Sequence, residues 1–456
     1  MPHITSDTAI RIAHGHLLAG RFPAARNAAA PHRATAGGAL LYALALAGTG
    51  EVAGAAPLLA AIAAANPASR HPVLDLIALI PPAAAAAHLR AAARLRPHDP
   101  ALYATLGTIL AEIGPMTDAI EAFARATSLL PSDPAAWSNL GKACAAEGRF
   151  ADADAAFASA RRLAPADARI AYNHATALLK SGRLAAGWAG LAARHSLPGR
   201  PRPLPGSRLT DLDVAGQTVL LRHDEGFGDT LQFIRYARPL AERGAKVIAA
   251  MPPALLRIVA TAPGVADVVP LTAVSHYDRW APLLDVPALF GDEIPASTPY
   301  LRAEPTDSGL PPGRRIGVVW AGDSRGLLDR QRSLPVTALD TLQALPGINW
   351  ISLQKDIVPP AWIYDPMRSV CDFADTAAIV AQLDLVISVD TAVAHLAAAL
   401  GKPVWLLDRY DACWRWVTGR TDSAWYPTLR IFRQSTPGDW SGVIAATAER
   451  LSATYS

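Results

Sequence analysis

Large apolar, small and turn-forming residues return in step along the first part of the chain. Tyr103, Leu106, Gly107, Gly114, Ala119, Phe123, Ala126 and Pro131 reappear 34 positions later as Trp137, Leu140, Gly141, Gly148, Ala153, Phe157, Ala160 and Pro165. A repeat of this length predicts one helical hairpin per unit. Gly107 and Gly141 fall where two helices cross, Gly114 and Gly148 at the turn between them, and Pro131 and Pro165 where the second helix stops. Weaker copies extend both ways. Gly20-Arg21-Phe22 and Gly50-Glu51-Val52 occupy the turn position, Asn66-Pro67 and Arg96-Pro97 lie near unit ends, and a partial copy runs from Ala171 through Gly182-Arg183-Leu184 to about His195. The copy between Pro67 and Pro97 is short. About five units are expected over residues 1–197. Stacking them buries a continuous core and leaves a concave face, either a scaffold or dimerisation surface or a groove that delivers an acceptor.

The pattern changes after residues 198–212, a linker that opens with the turn-rich run Pro198-Gly-Arg-Pro-Arg-Pro-Leu-Pro-Gly206. Short apolar runs now alternate with helical stretches: Thr218–Leu221, a helix from about Thr230 to Arg243, Lys246–Ala250, a helix to about Thr261, and Ala266–Val269. The alternation restarts at Arg315–Trp320 and continues through Asn349–Leu353, Leu383–Val389 and Val404–Leu407, while Pro295–Pro312 is proline-rich and strand-poor. Strands alternating with helices predict parallel sheets covered on both faces. The expected fold class is multidomain α + α/β, with a helical solenoid followed by two Rossmann-like lobes, 213–305 and 313–456, and a ligand cleft at the carboxyl ends of their strands.

Charge removes some functions from consideration. The formal net charge of +3 is small for 456 residues, and Lys and Arg are scattered, so no nucleic acid partner is implied. The most apolar stretch, Ala55–Ala65, is far shorter than the roughly 20 residues of a membrane-spanning helix, and the start shows no secretory pattern. A cytoplasmic protein without an integral membrane segment is expected. Cys144, Cys371 and Cys413 form no C-x-x-C pair, so neither a structural zinc nor a disulfide framework is expected.

Two strand-to-helix turns carry the candidate chemistry. The first lies within Leu220-Leu-Arg-His-Asp-Glu-Gly-Phe-Gly-Asp-Thr-Leu-Gln-Phe233, where Gly226 and Gly228 would let the backbone turn sharply and Asp229 would start the helix facing the cleft. Leu231 stands where a dinucleotide fingerprint needs a third glycine. Asp229 is then either an N-cap or a general base. The second is Ser388-Val-Asp-Thr-Ala-Val-Ala-His395, closed by Gly401-Lys402-Pro403. Its helix start offers free N–H groups to a diphosphate, with Thr391 as hydroxyl donor and His395 as a further contact, and it should face Asp229 across the cleft. The alternative is a Thr391 that merely caps and a His395 that merely packs. The aromatic cluster Trp414, Trp416, Trp425 and Tyr426 either packs the interface of the lobes or stacks on a ligand.

The repeat residues resemble the tetratricopeptide repeat. The stretch Glu225-Gly-Phe-Gly-Asp-Thr-Leu-Gln-Phe233, together with Val318-Val-Trp-Ala-Gly322, Arg332-Ser-Leu-Pro335, Ser352-Leu-Gln-Lys355, Ser388–His395 and Asp422-Ser-Ala-Trp-Tyr-Pro427, resembles bacterial tetratricopeptide-repeat proteins that carry a glycosyltransferase domain. That domain is similar to glycosyltransferase family 9, the heptosyltransferases, and more distantly to O-linked N-acetylglucosamine transferase. The resemblance, from about residue 98 onward, implies a GT-B pair of lobes and an inverting transfer that requires no metal and no cofactor beyond a nucleotide-sugar co-substrate. It implies Asp229 as the base, with Glu225, Gly226, Gly228 and Gln232 on the acceptor-side loop. On the donor side it implies Asp390, Thr391 and His395 at the diphosphate, Trp320, Gly322 and Arg332 beside the phosphates, and Gln354 and Lys355 near the nucleoside.

The expected partners are a nucleotide-sugar, a protein or glycan acceptor, proteins bound through the repeats and a possible homo-oligomer. Two competitors stand beside this transferase reading. One is a repeat scaffold whose transferase-like part is a non-catalytic docking domain; the other is a GT-B-shaped epimerase that alters free nucleotide sugars.

Overall fold

The structure, a computed structural model, describes residues 6–65, 82–274, 276–295, 298–306, 309–322 and 329–455. It divides into two units, residues 1–166 and 167–456. The short copy expected between Pro67 and Pro97 lies in part outside the described residues.

Among the described residues the first unit is entirely helical: α1 (Ser6–Leu18), α2 (Phe22–Ala29), α3 (Ala36–Gly48), α4 (Val52–Ala65), α5 (Pro82–Leu95), α6 (Pro100–Ile113), α7 (Met116–Leu129), α8 (Pro134–Ala146) and α9 (Phe150–Leu163). Successive helices pack as tetratricopeptide-like hairpins, and the 34-residue period reproduces the same contact in each. A Cβ on Gly107 would lie 2.8 Å from the ring of Phe123, and one on Gly141 would lie 2.9 Å from the ring of Phe157. Both phenylalanines are buried, so the glycines are what let the helices touch. The caps repeat as well. Asp99 and Asp133 accept hydrogen bonds from Ala101 N (3.0 Å) and Ala135 N (2.9 Å), each followed by proline at the first helical position.

The turns differ in one respect. Gly20, Gly50 and Gly148 have positive φ, as the turn position demands, but Gly114 is extended (φ −110°) because Pro115 follows it. Gly141→Val should destabilise the first unit by about 1–3 kcal/mol, since the ring of Phe157 is fully buried and has nowhere to retreat. Urea unfolding reads the change, and an unaltered midpoint would contradict the packing argument.

The second unit begins with a further hairpin, α10 (Ala168–Lys180) and α11 (Leu184–Leu191), then two parallel-sheet α/β lobes. In the first lobe, β1 (Ser207–Arg208), β2 (Thr218–Arg222), β3 (Lys246–Met251), β4 (Val265–Pro270) and β5 (Arg279–Pro282) stand in the order β1-β5-β2-β3-β4. Its helices are α12 (Phe227–Phe233), α13 (Ala237–Glu242) and α14 (Leu256–Val259). In the second, β6 (Arg314–Val319), β7 (Ile348–Ser352), β8 (Leu385–Val389), β9 (Val404–Asp408) and β10 (Leu429–Arg433) stand in the order β10-β9-β8-β6-β7. With them go α15 (Asp329–Arg332), α16 (Asp340–Gln343), α17 (Phe373–Val380), α18 (Ala392–Ala399) and α19 (Ser441–Tyr455). Every strand pairing is parallel. The central strands β8 and β9 are buried along their whole length, as covering both faces of a sheet requires.

The division into units falls at Ala166/Asp167, ahead of the 198–212 stretch expected as the linker. Its cause is the α10–α11 hairpin. Trp188 and Leu191 lie in the same apolar core as Phe233, Trp414 and Trp425, and Trp188 meets Trp414 edge-on at 5.4 Å. Lys180 forms an ion pair with Asp411, its carbonyl accepts from Thr418 N (3.0 Å), and Ala185 N donates to Asp292 Oδ1 (2.7 Å). The hairpin thus contacts both lobes.

The lobes are joined by a buried cation. Arg235, beyond the end of α12, donates to Trp425 O (2.8 Å) and Tyr300 Oη (3.0 Å) and lies over the rings of Tyr300 and Tyr426. Trp414, Trp416, Trp425 and Tyr426 are all buried, so the aromatic cluster packs this interface.

Candidate functional site

Two helices begin where parallel strands end: α12 follows β2, and α18 follows β8. They pack against each other at their starts. A Cβ on Gly228 would lie 2.9 Å from His395 Cδ2 and 3.5 Å from Ala392 Cα. The two turns singled out in the sequence are therefore adjacent, in direct contact at Gly228 instead of separated by a gap. Gly226 and Gly228 serve a different purpose from the sharp turn expected, because neither has positive φ. Gly228 is needed for close approach.

Asp229 is the third residue of α12, not its N-cap. Its Oδ2 reaches back to accept from Gly226 N at 2.9 Å, the carboxylate half of a capping box. Its Oδ1 is paired with Arg415, from the turn Trp414–Trp416 of the second lobe. The guanidinium of Arg415 stacks on Trp414 (4.1 Å to the ring centre) and donates to Cys413 Sγ (3.0 Å), and burial brings its pKa down to about 10.

The neighbouring residues of the first lobe are tied inward. Glu225 pairs with Arg200 and sits 3.2 Å from Arg194 Nε. Arg194 is buried and bridges Asp224 (2.7 Å) and Asp285 (2.5 Å), and Asp285 also meets His195 (2.8 Å) and Arg208. This cluster fixes the segment leading into α12. Gln232, expected on the acceptor side, is fully buried, and neither end of its amide has a hydrogen-bond partner among the described residues.

On the second lobe, Thr391 precedes α18, but its hydroxyl bonds Ser388 Oγ (3.0 Å) and does not cap the helix. At the start of α18, Ala394 N donates to Thr391 O (3.2 Å), and the amides of Ala392 and Val393 stand at positions that have no acceptor within a helix. Arg332 comes to the same place: its Nη1 donates to Asp390 O (3.3 Å), its Nε lies 3.2 Å from Asp329 Oδ1, and its guanidinium covers Gly322. A Cβ on Gly322 would sit 2.3 Å from Arg332 Nε, so a larger residue there would push this guanidinium aside. Ser333 Oγ accepts from Gly322 N (3.0 Å) and donates to Asp329 Oδ1 (3.0 Å), which completes the loop.

Other donor-side candidates are engaged within the fold. The indole of Trp320 belongs to the core of the second lobe. Gln354 Oε1 accepts from Trp320 N (3.3 Å) and Ala321 N (3.0 Å), and Lys355 Nζ donates to Val370 O (2.6 Å). His395 is buried, with Nδ1 3.0 Å from Tyr426 Oη and its ring stacked on Trp416 at 5.1 Å. Its Nε2 lies 3.9 Å from Asp390 Oδ1. Among the described residues, no group of three or more His, Cys, Asp or Glu side chains could hold a metal ion, and no helix is long and apolar enough to cross a membrane.

Two buried groups beside this turn titrate in opposite senses. Burial pushes His395 down to about 4 from 6.5, so its stabilising contribution is complete above pH 6.5 and is lost as the pH falls towards 4. Burial also pushes Asp408, at the end of β9, up to about 6 from 3.8 despite its pairing with Arg433 (2.9 Å). Its contribution is complete below pH 3.8 and is lost as the pH rises through about 6. The two slopes oppose each other between roughly pH 4 and 6. Asp408→Asn should expose the histidine's slope, up to about 1.4 kcal/mol per pH unit, which the wild type largely cancels. Denaturant unfolding at pH 4.5, 5.5 and 6.5 on the two proteins checks this, and parallel curves would contradict it.

Arg415, Arg194, Asp285 and Asp408 were not legible as site residues. Each stands far along the chain from the groups it serves, in a segment without a distinctive motif. The signals near them were the aromatic run that flanks Arg415 and the apolar run Val404–Leu407 that ends just before Asp408.

An α/β protein with this strand-to-helix turn also matches a known family locally: residues 370–407, which hold α17, β8, α18 and most of β9, match glycosyltransferase family 9 (heptosyltransferase). Over 316 residues the chain is 25% identical to protein FlbA of Caulobacter vibrioides, a match covering 58% of this chain and 52% of that protein. The chain thus spans about half the length of the curated relative it matches. Among solved structures it is similar to MamA, with 21% identity, TM-score 0.27 and coverage of 32% of this chain and 89% of that one. YrrB, described as a tetratricopeptide-repeat protein with an unusual peptide-binding site, gives 18% identity, TM-score 0.28 and coverage of 37% and 90%.

Proposed function

We propose that this chain is a glycosyltransferase that moves a sugar from a nucleotide-sugar donor to a hydroxyl of a protein or glycan, with its two lobes acting as a GT-B pair. The observation that carries the reading is the family-9 match over residues 370–407, which centres on the turn Asp390-Thr391-Ala392 to which Arg332 is bound. A helix start and a fixed guanidinium are the groups a leaving nucleoside diphosphate needs.

In this reading the donor diphosphate lies against the start of α18 and Arg332. Buried and neutral, His395 supports Asp390 and the helix without adding charge. The acceptor hydroxyl approaches from the α12 side, where Asp229 takes its proton as the anomeric carbon is attacked, and the configuration inverts. Arg332 and the helix amides stabilise the charge that develops on the leaving group, with no metal required. The repeats recruit the acceptor or a partner protein, and stacking of the chain into a homo-oligomer would use the same helical surfaces.

Incubation of the purified protein with a panel of nucleotide sugars, following release of nucleoside diphosphate, tests the reading, together with calorimetric titration of UDP, GDP and ADP. Binding of at least one nucleotide and turnover of its sugar conjugate is the expected result. No binding and no turnover across the panel would sink it. A non-catalytic docking domain on a repeat scaffold is the second reading, and the observation favouring it is that both carboxylate oxygens of Asp229 are engaged.

A further inference from the structure

We propose that Arg415 changes partners during the reaction: it holds Asp229 in the free protein and moves to the donor's diphosphate when that binds, so that donor binding releases the carboxylate that serves as base. This inference rests on the functional reading above. Three features of the fold carry it.

The first is position. Gly228, the residue before Asp229, packs against Ala392 and His395, so the backbone that carries Asp229 lies beside the start of α18, and Arg415 reaches Asp229 there from the second lobe. The second is linkage. The turn that presents Arg415 to Asp229 also presents Trp416 to the ring of His395, one helical turn into α18, while Cys413, which accepts from Arg415, feels the charge of Asp390. One short segment therefore reports to both sides of the interface. The third is strain. Val417, the β-branched residue that ends this turn, has φ 48°, a left-handed conformation such residues rarely adopt. A segment held in a disfavoured conformation by its contacts has an alternative to relax into when one contact is exchanged.

The chemistry favours the exchange. Arg415 is buried on one side by Trp414 and keeps a planar fork suited to two oxygens of either a carboxylate or a phosphate. A diphosphate brings more negative charge than one carboxylate and has the helix start to hold it. While paired, Asp229 is a poor proton acceptor, because its charge is neutralised and Oδ1 is occupied. Once Arg415 has turned to the diphosphate, Oδ1 is free for an acceptor hydroxyl, and the hydroxyl proton passes to it as the new glycosidic bond forms and the bond to the nucleoside diphosphate breaks.

The test is a double-mutant cycle on anion affinity in the full chain, with inorganic pyrophosphate and UDP as probes and calorimetry as readout. Asp229→Asn should tighten binding about three- to tenfold, because Arg415 no longer has to leave a partner. Arg415→Gln should weaken it by at least about tenfold, and adding Asp229→Asn to Arg415→Gln should give no further gain. Arg415→Lys, which keeps charge but loses the fork, should fall between, and it serves as the folded control should the glutamine variant melt early. Unchanged affinity in Asp229→Asn, or a gain of equal size in the Arg415→Gln background, overturns the partner exchange while leaving the transferase reading intact. Failure of the wild type to bind pyrophosphate, UDP, GDP or ADP overturns both.

Discussion

Arg194→Met should destabilise the second unit by roughly 3–5 kcal/mol, a large share of the stability of an ordinary domain. The reason is the carboxylate it leaves behind. Asp285 keeps His195 and Arg208, and Glu225 keeps Arg200, but among the described residues Arg194 is the one cation paired with the largely buried carboxylate of Asp224. Burial already holds the Asp224 carboxyl above its usual range even with Arg194 beside it. Without the guanidinium it must either stay charged in a poor solvent or take up a proton. The loss should therefore be smaller at pH 5 than at pH 8, and Arg194→Met combined with Asp224→Leu should recover most of it, since replacing both partners removes the stranded charge. Denaturant midpoints of the single and double variants decide the matter. A single variant within 1 kcal/mol of wild type, on the scale at which buried pairs matter, would show that the cluster is solvated.

Asp229→Ala should lower the rate of sugar transfer by about 10²- to 10⁴-fold, the range expected for loss of a positioned base. Nucleotide binding should survive, because the groups assigned to the diphosphate belong to the other lobe. The alanine also removes the acceptor for Gly226 N and the partner of Arg415, so a modest loss of stability accompanies it. Asp229→Asn separates the two effects: it keeps an oxygen for the Gly226 amide but cannot take a proton. Equal loss of transfer in both variants, with near-normal melting of the asparagine variant, is the expected pattern, read by product formation and thermal unfolding. Full transfer in either would remove Asp229 from the role.

What the sequence made legible was whatever repeats or runs locally. The 34-residue period located Gly107, Gly141 and their phenylalanines because the same helical contact is built twice from the same residue types. The apolar runs of β8 and β9 were legible because a strand buried on both faces has no polar side to obscure it, and β6 was legible from its apolar second half. The strands β1, β5 and β10 were not expected. Ser207–Arg208 is two residues long, Arg279–Pro282 holds only two strongly apolar side chains, and Leu429–Arg433 interleaves arginines with its apolar residues. These strands form through pairing with neighbours that the pattern does show.

The same distinction holds at the site. Arg332 and Asp390 could be nominated from motifs, and the fold brings the guanidinium of one to the carbonyl of the other. That Asp229 is paired to an arginine 186 residues later belongs to tertiary structure, which no spacing rule encodes. The purpose of Gly228 was likewise out of reach: a glycine after a strand reads as a turn, whereas this one makes room for the edge of His395.

The grouping of α10 and α11 with the sheets has a bearing on how the molecule can be dissected. A fragment beginning in the 198–212 linker would lack Trp188, Leu191 and Arg194, and so would expose the rings of Phe233 and Trp414 to water and leave Asp224 without Arg194. Such a piece would precipitate or fail to transfer sugar for reasons unrelated to the proposed site. A fragment beginning at Asp167 keeps that plug in place, and Asp167 itself accepts from Arg169 N (2.8 Å) to start the helix. The last hairpin is therefore a structural part of the α/β half, and a boundary drawn by helical content alone would cut through its core.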